Sequence, residues 1–311
     1  MEIEEISQEG VVTAPAEAIE DAAAAQKRLR IFPLLILAQS LLYGLGDPIS
    51  KLAYETMPVY TMLAFRYVLA LVFFLLVFGR RIFAAIKTTG VALYLPAGGC
   101  MALAYIGSNL ALDSAAATNV AFLRSLTALI TPLLALLLFR RRYRLIHAAL
   151  QVVVVLGLYL LCAQGGLSGF GRGEGYALLS ALFGALALLC SERALEQGGD
   201  AVALSAVQTA CSAVVCVGMA LVTQSGLPAV SPSVWVTMVY LAIGCTVGGY
   251  LLQNAALSHL PSRTVAMLQC SYPVMTALLS RLLLGERLSI MGLLGAAIIL
   301  ACVLAESVLK D

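Results

Sequence analysis

Four ionisable residues stand inside long apolar segments of the first half of the chain: Asp47, Lys51, Arg66 and Arg124. A charged side chain costs roughly 3 kcal/mol or more at the centre of a membrane helix, so each needs a pairing or functional role. With a rise of about 1.5 Å per residue, Asp47, Arg66 and Arg124 all lie roughly 12 to 13 Å below the outer membrane boundary. Charges at one depth predict a shared polar cavity. The alternative is that Asp47 only neutralises Lys51 or Arg66 in an ion pair.

Glycines and a proline predict a break in the first apolar segment. Pro48 has no N–H, so the carbonyl of Gly44 loses its helical partner. Gly44 and Gly46 permit a bend and a close approach of a ligand to the backbone. Pro273 is expected to release the carbonyl of Gln269 in the same way. A packing kink is the alternative at both places.

Two polar pairs share a spacing. Tyr105 and Asn109 lie four residues apart, as do Tyr250 and Asn254, so each pair occupies one helix face. We expect the two pairs to line a central cavity from both sides. Interhelical hydrogen bonding by the asparagines is the alternative.

The composition is that of a membrane protein. Of the 311 residues, 61% are hydrophobic and 12% are charged, whereas soluble proteins carry about 25% charged residues. The net charge of +2 gives no indication of nucleic-acid binding. Eight cysteines without a CxxC pair, and two histidines, predict neither disulfides nor a metal site, and we expect no cofactor.

Ten apolar segments are long enough to cross a bilayer core, which takes about 20 residues. They are residues 31–53, 58–78, 91–112, 115–139, 144–163, 174–195, 201–222, 233–258, 262–284 and 289–309. Residues 1–30 carry an acidic stretch and are predicted to be a disordered tail. The sequence therefore predicts an all-α integral membrane protein with ten transmembrane helices.

The positions of Lys and Arg predict the orientation. With ten helices, thirteen of these residues fall on the side of the two termini, and three, Arg172, Arg281 and Arg287, fall on the other side. Short cytoplasmic loops carry the excess of positive charge. We therefore expect a multi-pass membrane protein with both termini in the cytoplasm. The membrane is most simply the bacterial inner membrane. His147, His259, Glu192 and Glu306 are expected at the cytoplasmic interface.

The two halves of the chain align with each other. Gly99-Cys100 matches Gly244-Cys245, and Asn109 matches Asn254 at the same offset. Five helices in each half reverse the orientation of the second half. This predicts inverted repeats, 31–163 and 174–309, an arrangement common in secondary transporters.

These motifs resemble the drug/metabolite transporter superfamily, specifically its ten-helix EamA-type members. In the first half the similar positions are Tyr43-Gly44, Lys51, Met57-Pro58 and Phe65-Arg66. In the second half they are Asn254-Ala255-Ala256-Leu257, Pro261-Ser262, Ser271-Tyr272-Pro273 and Leu284-Gly285-Glu286-Arg287-Leu288. The resemblance implies transport, usually export, of amino acids or other small metabolites.

The first half departs from this pattern in two places. It has Arg140-Arg141-Arg142 where the second half has the Gly-Glu-Arg turn, as expected for a cytoplasmic loop. Pro132 lies one turn beyond Ala128, which is the equivalent of Pro273. The second departure argues against a strictly symmetric pair of helix breaks.

Transport by alternating access is the expected function, and the protein is not expected to be an enzyme. A membrane-embedded enzyme would need a nucleophile with its base, or a metal triad, and neither pattern occurs. A channel is the third class. The sequence leaves open whether two chains form a homodimer in the bilayer.

The excess of cations predicts the ligand, because Lys51, Arg66 and Arg124 outnumber Asp47. Arginine pairs with carboxylates through two parallel hydrogen bonds. We expect a small-molecule substrate with an anionic group, first an amino acid and second an organic acid, with Asp47 as the proton-coupling residue. A competing account leaves the cavity neutral, with Lys51 at the outer interface and Arg124 bonded to backbone carbonyls. The expected binding residues are Tyr43, Lys51, Arg66, Tyr105, Asn109, Arg124, Tyr250, Asn254, Gln269 and Tyr272.

Overall fold

The computed structural model describes residues 16–115, 117–139, 145–162, 171–223, 232–284 and 289–308. The helices of the first half are α1 (Ala16–Tyr54), α2 (Val59–Thr89), α3 (Leu95–Ser114), α4 (Ala117–Ser125), α5 (Thr127–Phe139) and α6 (Leu145–Cys162). Those of the second half are α7 (Arg172–Glu196), α8 (Ala201–Val222), α9 (Pro232–Val239), α10 (Gly249–Leu257), α11 (Ser262–Leu268), α12 (Ser271–Leu284) and α13 (Ile290–Val308). A π-helical stretch, Tyr240–Gly248, joins α9 to α10. The predicted all-α class is confirmed.

Local chemistry sets several helix ends. Pro58 precedes α2, and Gly90, with φ at +80°, follows it. The Asp200 carboxylate caps α8 by accepting hydrogen bonds from the N–H groups of Val202 and Ala203, each at 2.9 Å. The same carboxylate is paired with Arg81 at 2.7 Å, which links the last part of α2 to the start of α8.

The first helix begins earlier than expected. α1 starts at Ala16, so the backbone is helical over part of the stretch that was predicted to be disordered up to residue 30. The first fifteen residues lie outside the described ranges, as does the Arg140–Arg142 loop.

Eight helical segments within the described residues are long and apolar enough to cross a membrane. The fifth predicted span corresponds to the shorter apolar stretch Ile146–Leu161. The ninth is divided between α11, with 7 residues, and α12, with 14. Helix therefore occurs at all ten predicted positions, but length alone does not confirm ten spans.

The outward surface of these helices is apolar. Leu76 is 81% exposed, Leu282 is 78% exposed and Val214 is 74% exposed. Such side chains on long helices are suited to contact with lipid, since water would leave them poorly solvated.

The helices pack as two equivalent halves. The equivalent helices α2 and α8 pack against each other, and so do α6 and α13. Helix α1 packs against α12 and α10, and its counterpart α7 packs against the corresponding α5 and α3. Each contact that α1 makes with the second half therefore has an equivalent contact that α7 makes with the first half. A two-fold relation between the halves requires this.

The break predicted at Gly44, Gly46 and Pro48 is wrong, because α1 is continuous through all three residues. The glycines serve packing instead. A Cβ at Gly44 would lie 2.6 Å from the Cβ of Met275, and one at Gly46 would lie 2.8 Å from the Cys245 sulfur. Small residues here let α1 approach α12 and the π-helical stretch closely.

Breaks do occur between α4 and α5, at Leu126, and between α11 and α12, at Gln269 and Cys270. They fall at nearly equivalent positions of the two repeats, although Pro132 and Pro273 do not align. The Gln269 carbonyl is not released, since it accepts a hydrogen bond from the N–H of Tyr272 at 3.0 Å.

Candidate functional site

A cavity of about 80 Å³ lies where helices of the two halves meet. We call it the central cavity. The expected binding residues that line it are Tyr43, Tyr105, Arg124, Gln269 and Tyr272. It is large enough to hold water and is lined by aromatic, hydroxyl, amide and guanidinium groups, a mixture that suits a small polar solute.

Arg124 is the charged residue of this lining. Its Nη1 donates a hydrogen bond to the Tyr272 hydroxyl at 3.0 Å and lies 3.9 Å from the Asp47 carboxylate. Its guanidinium carbon lies 5.6 Å from the Tyr105 ring centre and 5.1 Å from that of Tyr272. Among the described residues, no further acceptor engages this side chain, so most of its five N–H donors are available to a ligand.

A second, smaller cavity of about 10 Å³ adjoins the first. We call it the charge chamber. Asp47, Arg66 and Asn109 line it, and it shares Tyr43, Tyr105 and Arg124 with the central cavity. Its volume suits about one water molecule. The three charges predicted at one depth are thus brought together.

Arg66 and Asp47 are both buried in this chamber, at 5% and 9% exposure. The Nε of Arg66 donates to the Thr246 hydroxyl at 2.8 Å, across the boundary between the two repeats. No described residue donates a hydrogen bond to Asp47, whose one ion contact is the longer one to Arg124. The chamber therefore holds two guanidinium groups against one carboxylate.

A family model for the EamA-like transporter family matches residues 31–163 and 171–305. The chain belongs to this family. Its family places it among membrane transporters of the drug/metabolite type and confirms the resemblance drawn from the sequence.

Comparison with solved structures supports the fold of this EamA-like transporter. One crystal structure of another protein shares 18% sequence identity, with a TM-score of 0.67. The alignment covers 91% of this chain and 96% of the other. A comparison with curated proteins found no match.

Three expected binding residues of this EamA-like transporter line neither cavity. Lys51 donates to the Ala115 carbonyl at 3.2 Å, beside the end of α3. Asn254 donates to Ser205 at 2.9 Å and to Gln208 at 2.7 Å, so it joins α10 to α8. The Tyr250 ring packs against that of Tyr105 at a tilt of 55°, with ring centres 5.5 Å apart. The alternative of interhelical bonding describes Asn254 better than cavity lining does.

Asn109 differs from its repeat partner. It lines the charge chamber, donates to the Tyr105 carbonyl at 2.7 Å and accepts a hydrogen bond from the Tyr54 hydroxyl. Together with the bond from Lys51 to Ala115, this ties the C-terminal end of α1 to α3.

Sequence reasoning missed two of the three glutamines of the central cavity. Gln39 and Gln253 line it beside Gln269, and the three amides hydrogen-bond to one another. The available signal was a polar side chain within an apolar segment. Of the three glutamines only Gln269 was expected to bind, although every neutral amide at membrane depth requires partners.

Three of the four polar residues expected at the cytoplasmic interface are buried between helices. The His147 Nδ1 lies 2.9 Å from the Glu306 carboxylate, which also accepts a bond from Thr264 at 3.1 Å. Glu192 accepts a bond from the Ser262 hydroxyl at 2.8 Å. The cluster ties α11 to α6, α7 and α13. Only His259 of this group is exposed, where it stacks on Phe32.

Proposed function

We propose that this protein is a secondary active transporter of a small solute carrying a carboxylate group, an amino acid being the leading case. The solute binds in the central cavity, and the two repeats expose it alternately to each side. The observation that carries the proposal is the guanidinium of Arg124, which faces the cavity and is only loosely paired with Asp47 at 3.9 Å.

A carboxylate is the group that this environment favours. Arg66 and Arg124 face Asp47 alone across the charge chamber, so one positive charge is left over among the described residues of the site. A buried cation without a partner is costly, and a ligand carboxylate offsets that cost. Arginine can grip such a group with two N–H donors at once.

The position of Lys51 reduces the number of cations in the proposed site from three to two. Its amine donates to a backbone carbonyl away from both cavities, so we leave it out of the proposed site, as the competing account does. Arg124, by contrast, bonds a hydroxyl and not a backbone carbonyl. The proposal therefore rests on two cations, with Arg124 as the one that meets the solute.

Alternating access is supported by the position of the site between equivalent helices. Arg124 lies in the first repeat and its partner Tyr272 in the second. A movement of one half against the other changes this contact and the Arg66–Thr246 bond together. In the orientation that we propose, with both termini in the cytoplasm of a bacterial inner membrane, the end of the site at Tyr54 and Asn109 faces outward.

Asp47 is proposed as the proton-coupling group. It is a buried carboxylate that faces a water-sized chamber, which it shares with the arginine that meets the solute. Protonation would neutralise the carboxylate that faces Arg124. A carboxylate of the solute would then bind this guanidinium more tightly. Proton binding and solute binding are thereby linked through one guanidinium.

The test is solute flux in proteoliposomes that contain the purified protein. We expect saturable, concentrative movement of a radiolabelled amino acid when a pH gradient is imposed. Other amino acids with a free α-carboxylate should inhibit it, and their α-carboxamides should not. Accumulation that never exceeds equilibrium, at rates unaffected by the gradient, would favour a channel. Chemical conversion of the solute in detergent without any gradient would favour an enzyme.

A further inference from the structure

Three glutamine side chains form a closed amide cluster on one wall of the central cavity. Gln39 lies in α1, Gln253 in α10 and Gln269 at the break between α11 and α12. The Gln39 amide nitrogen donates to the carbonyl of Gly249 at 3.1 Å and to the Gln253 oxygen at 3.0 Å. The Gln269 amide nitrogen donates to the Gln39 oxygen at 3.0 Å and to the Gln253 oxygen at 2.9 Å.

These bonds fix which end of each amide faces which neighbour. The carbonyl of Gly249 can only accept, so the nitrogen of Gln39 must face it. The oxygen of Gln39 then requires the nitrogen of Gln269. The oxygen of Gln253 receives both neighbouring nitrogens. The orientation of all three side chains therefore follows from one backbone carbonyl.

The cluster leaves one amide nitrogen and one amide oxygen without a partner among the described residues. Gln253 is 3% exposed, and its Nε2 has no hydrogen-bond partner in the described part of the chain. Both hydrogen bonds of the Gln269 side chain are made by its nitrogen, and its oxygen accepts no hydrogen bond from a described residue. The Gln253 nitrogen is buried from the cavity as well, so a ligand meets it only when the Gln253 side chain turns toward the cavity. An N–H donor buried without an acceptor is unfavourable, so a ligand that then supplies an acceptor gains affinity.

We infer that the amide cluster is a second binding subsite, which recognises a terminal carboxamide of the transported solute. A carboxamide presents a carbonyl acceptor for Gln253 and an N–H donor for Gln269 side by side. A carboxylate or an ester lacks the donor, and an alkyl end lacks both groups. The inference rests on the proposed function, which assigns the solute's carboxylate to Arg124, and it narrows the substrate class to amino acids whose side chains end in an amide.

The test measures the binding of three matched ligands to the purified protein by calorimetry. L-Glutamine has a terminal carboxamide, L-glutamate γ-methyl ester has only the acceptor, and L-norleucine has neither group at similar length. We expect L-glutamine to bind about tenfold tighter than L-norleucine, with the ester between them. Equal binding, or a preference for the more hydrophobic L-norleucine, would overturn the inference.

Variants of the glutamines test whether the amide cluster causes this difference in affinity. Gln253→Met should remove most of the difference between L-glutamine and L-norleucine, and Gln269→Met should act likewise if the first variant does not fold. Gln151→Met is the matched control, because Gln151 is a buried glutamine that bonds the Ala128 carbonyl at 2.9 Å outside the cavity. A loss of the difference in the control variant would show that the cluster is not its source.

The two proposals fail in different ways. If L-glutamine and its α-carboxamide analogue bind equally, the carboxylate subsite at Arg124 is wrong. If the α-carboxylate is required but the three side chains are not distinguished, only the carboxamide subsite is wrong. If no ligand of the series binds, both are wrong.

Discussion

The guanidinium of Arg124 stands between the carboxylate of Asp47, at 3.9 Å, and the hydroxyl of Tyr272, at 3.0 Å. Asp47 belongs to α1 in the first repeat and Tyr272 to α12 in the second. One cation thus connects a buried acid, the central cavity and both halves of the transporter. A change in the charge of Asp47 therefore alters the electrostatic energy of the Arg124 guanidinium, which we expect to hold the solute.

Asp47→Asn removes the negative charge from the charge chamber and preserves the shape of the side chain. We expect the variant to insert and fold, but to transport with an altered pH dependence or not at all. Initial rates across a range of pH values in proteoliposomes measure this. Asp113→Asn is the control, since Asp113 is exposed at the end of α3. A normal rate of the Asp47 variant at every pH would leave Asp47 as a mere counter-ion.

Gly295→Ala should destabilise the contact between α6 and α13. A Cβ at Gly295 would lie 2.6 Å from the backbone nitrogen of Leu161, and it would also collide with the carbonyl of Gly157. Backbone cannot move aside as a flexible side chain can, so we expect a loss of about 1 to 3 kcal/mol. The measurement is the melting temperature in detergent.

Gly218→Ala provides the matched comparison for that variant. Gly218 lies within α8, and nothing lies within 4 Å of its added Cβ. Alanine is a better helix former, so stability should stay equal or rise by up to about 1 kcal/mol. Equal melting temperatures for the two variants would mean that α6 and α13 are not in close contact.

His147→Ala should weaken the buried cluster around α11. It removes the 2.9 Å contact to Glu306 and leaves that carboxylate with fewer hydrogen bonds. The expected cost is roughly 1 to 3 kcal/mol, seen as a lower melting temperature. His259→Ala is the control, because His259 is exposed. Similar stability of the two variants would argue that the cluster contributes nothing to the fold.

Reporter fusions test the orientation. Fusions placed before Lys27 and after Asp311 should both report cytoplasm, and one near Ser168 should report the outside, because basic residues concentrate on the side of the termini. A fusion to a neutral loop position near Gly198 should agree with the termini. Termini on opposite sides would remove the count of ten helices and the inverted relation between the repeats.

The sequence could predict where helices occur, because long apolar runs separated by Pro58, Gly90 or Asp200 leave few other structures possible in lipid. It could also predict that Asp47, Arg66 and Arg124 share a site, since an equal depth follows from counting residues along helices. These inferences depend on distance along one helix and on the thickness of the bilayer.

Predictions that depended on the rotation of a helix fared less well. Lys51 lies one turn from Asp47 but bonds the end of α3, and Asn254 turns toward α8 although its repeat partner Asn109 faces the charge chamber. Which face of a helix meets a cavity is set by the packing of several helices. No spacing within one segment contains that information.

The glycines of α1 illustrate a second limit. Gly44 and Gly46 beside Pro48 suggested a break, but a glycine that bends a helix and one that admits a neighbour have the same sequence signature. Only the closeness of Met275 and Cys245 separates the two roles.

The central claim is that Arg124 binds the carboxylate of the transported solute. The most direct measurement is the ratio of dissociation constants for an amino acid and its α-carboxamide, determined for the native protein and for Arg124→Gln. The account predicts that the native protein prefers the acid and that this preference falls by about tenfold or more in the variant, because a charge-assisted pair becomes a neutral contact. Equal losses for acid and amide, or tighter binding of lipophilic cations by the native protein, would contradict it.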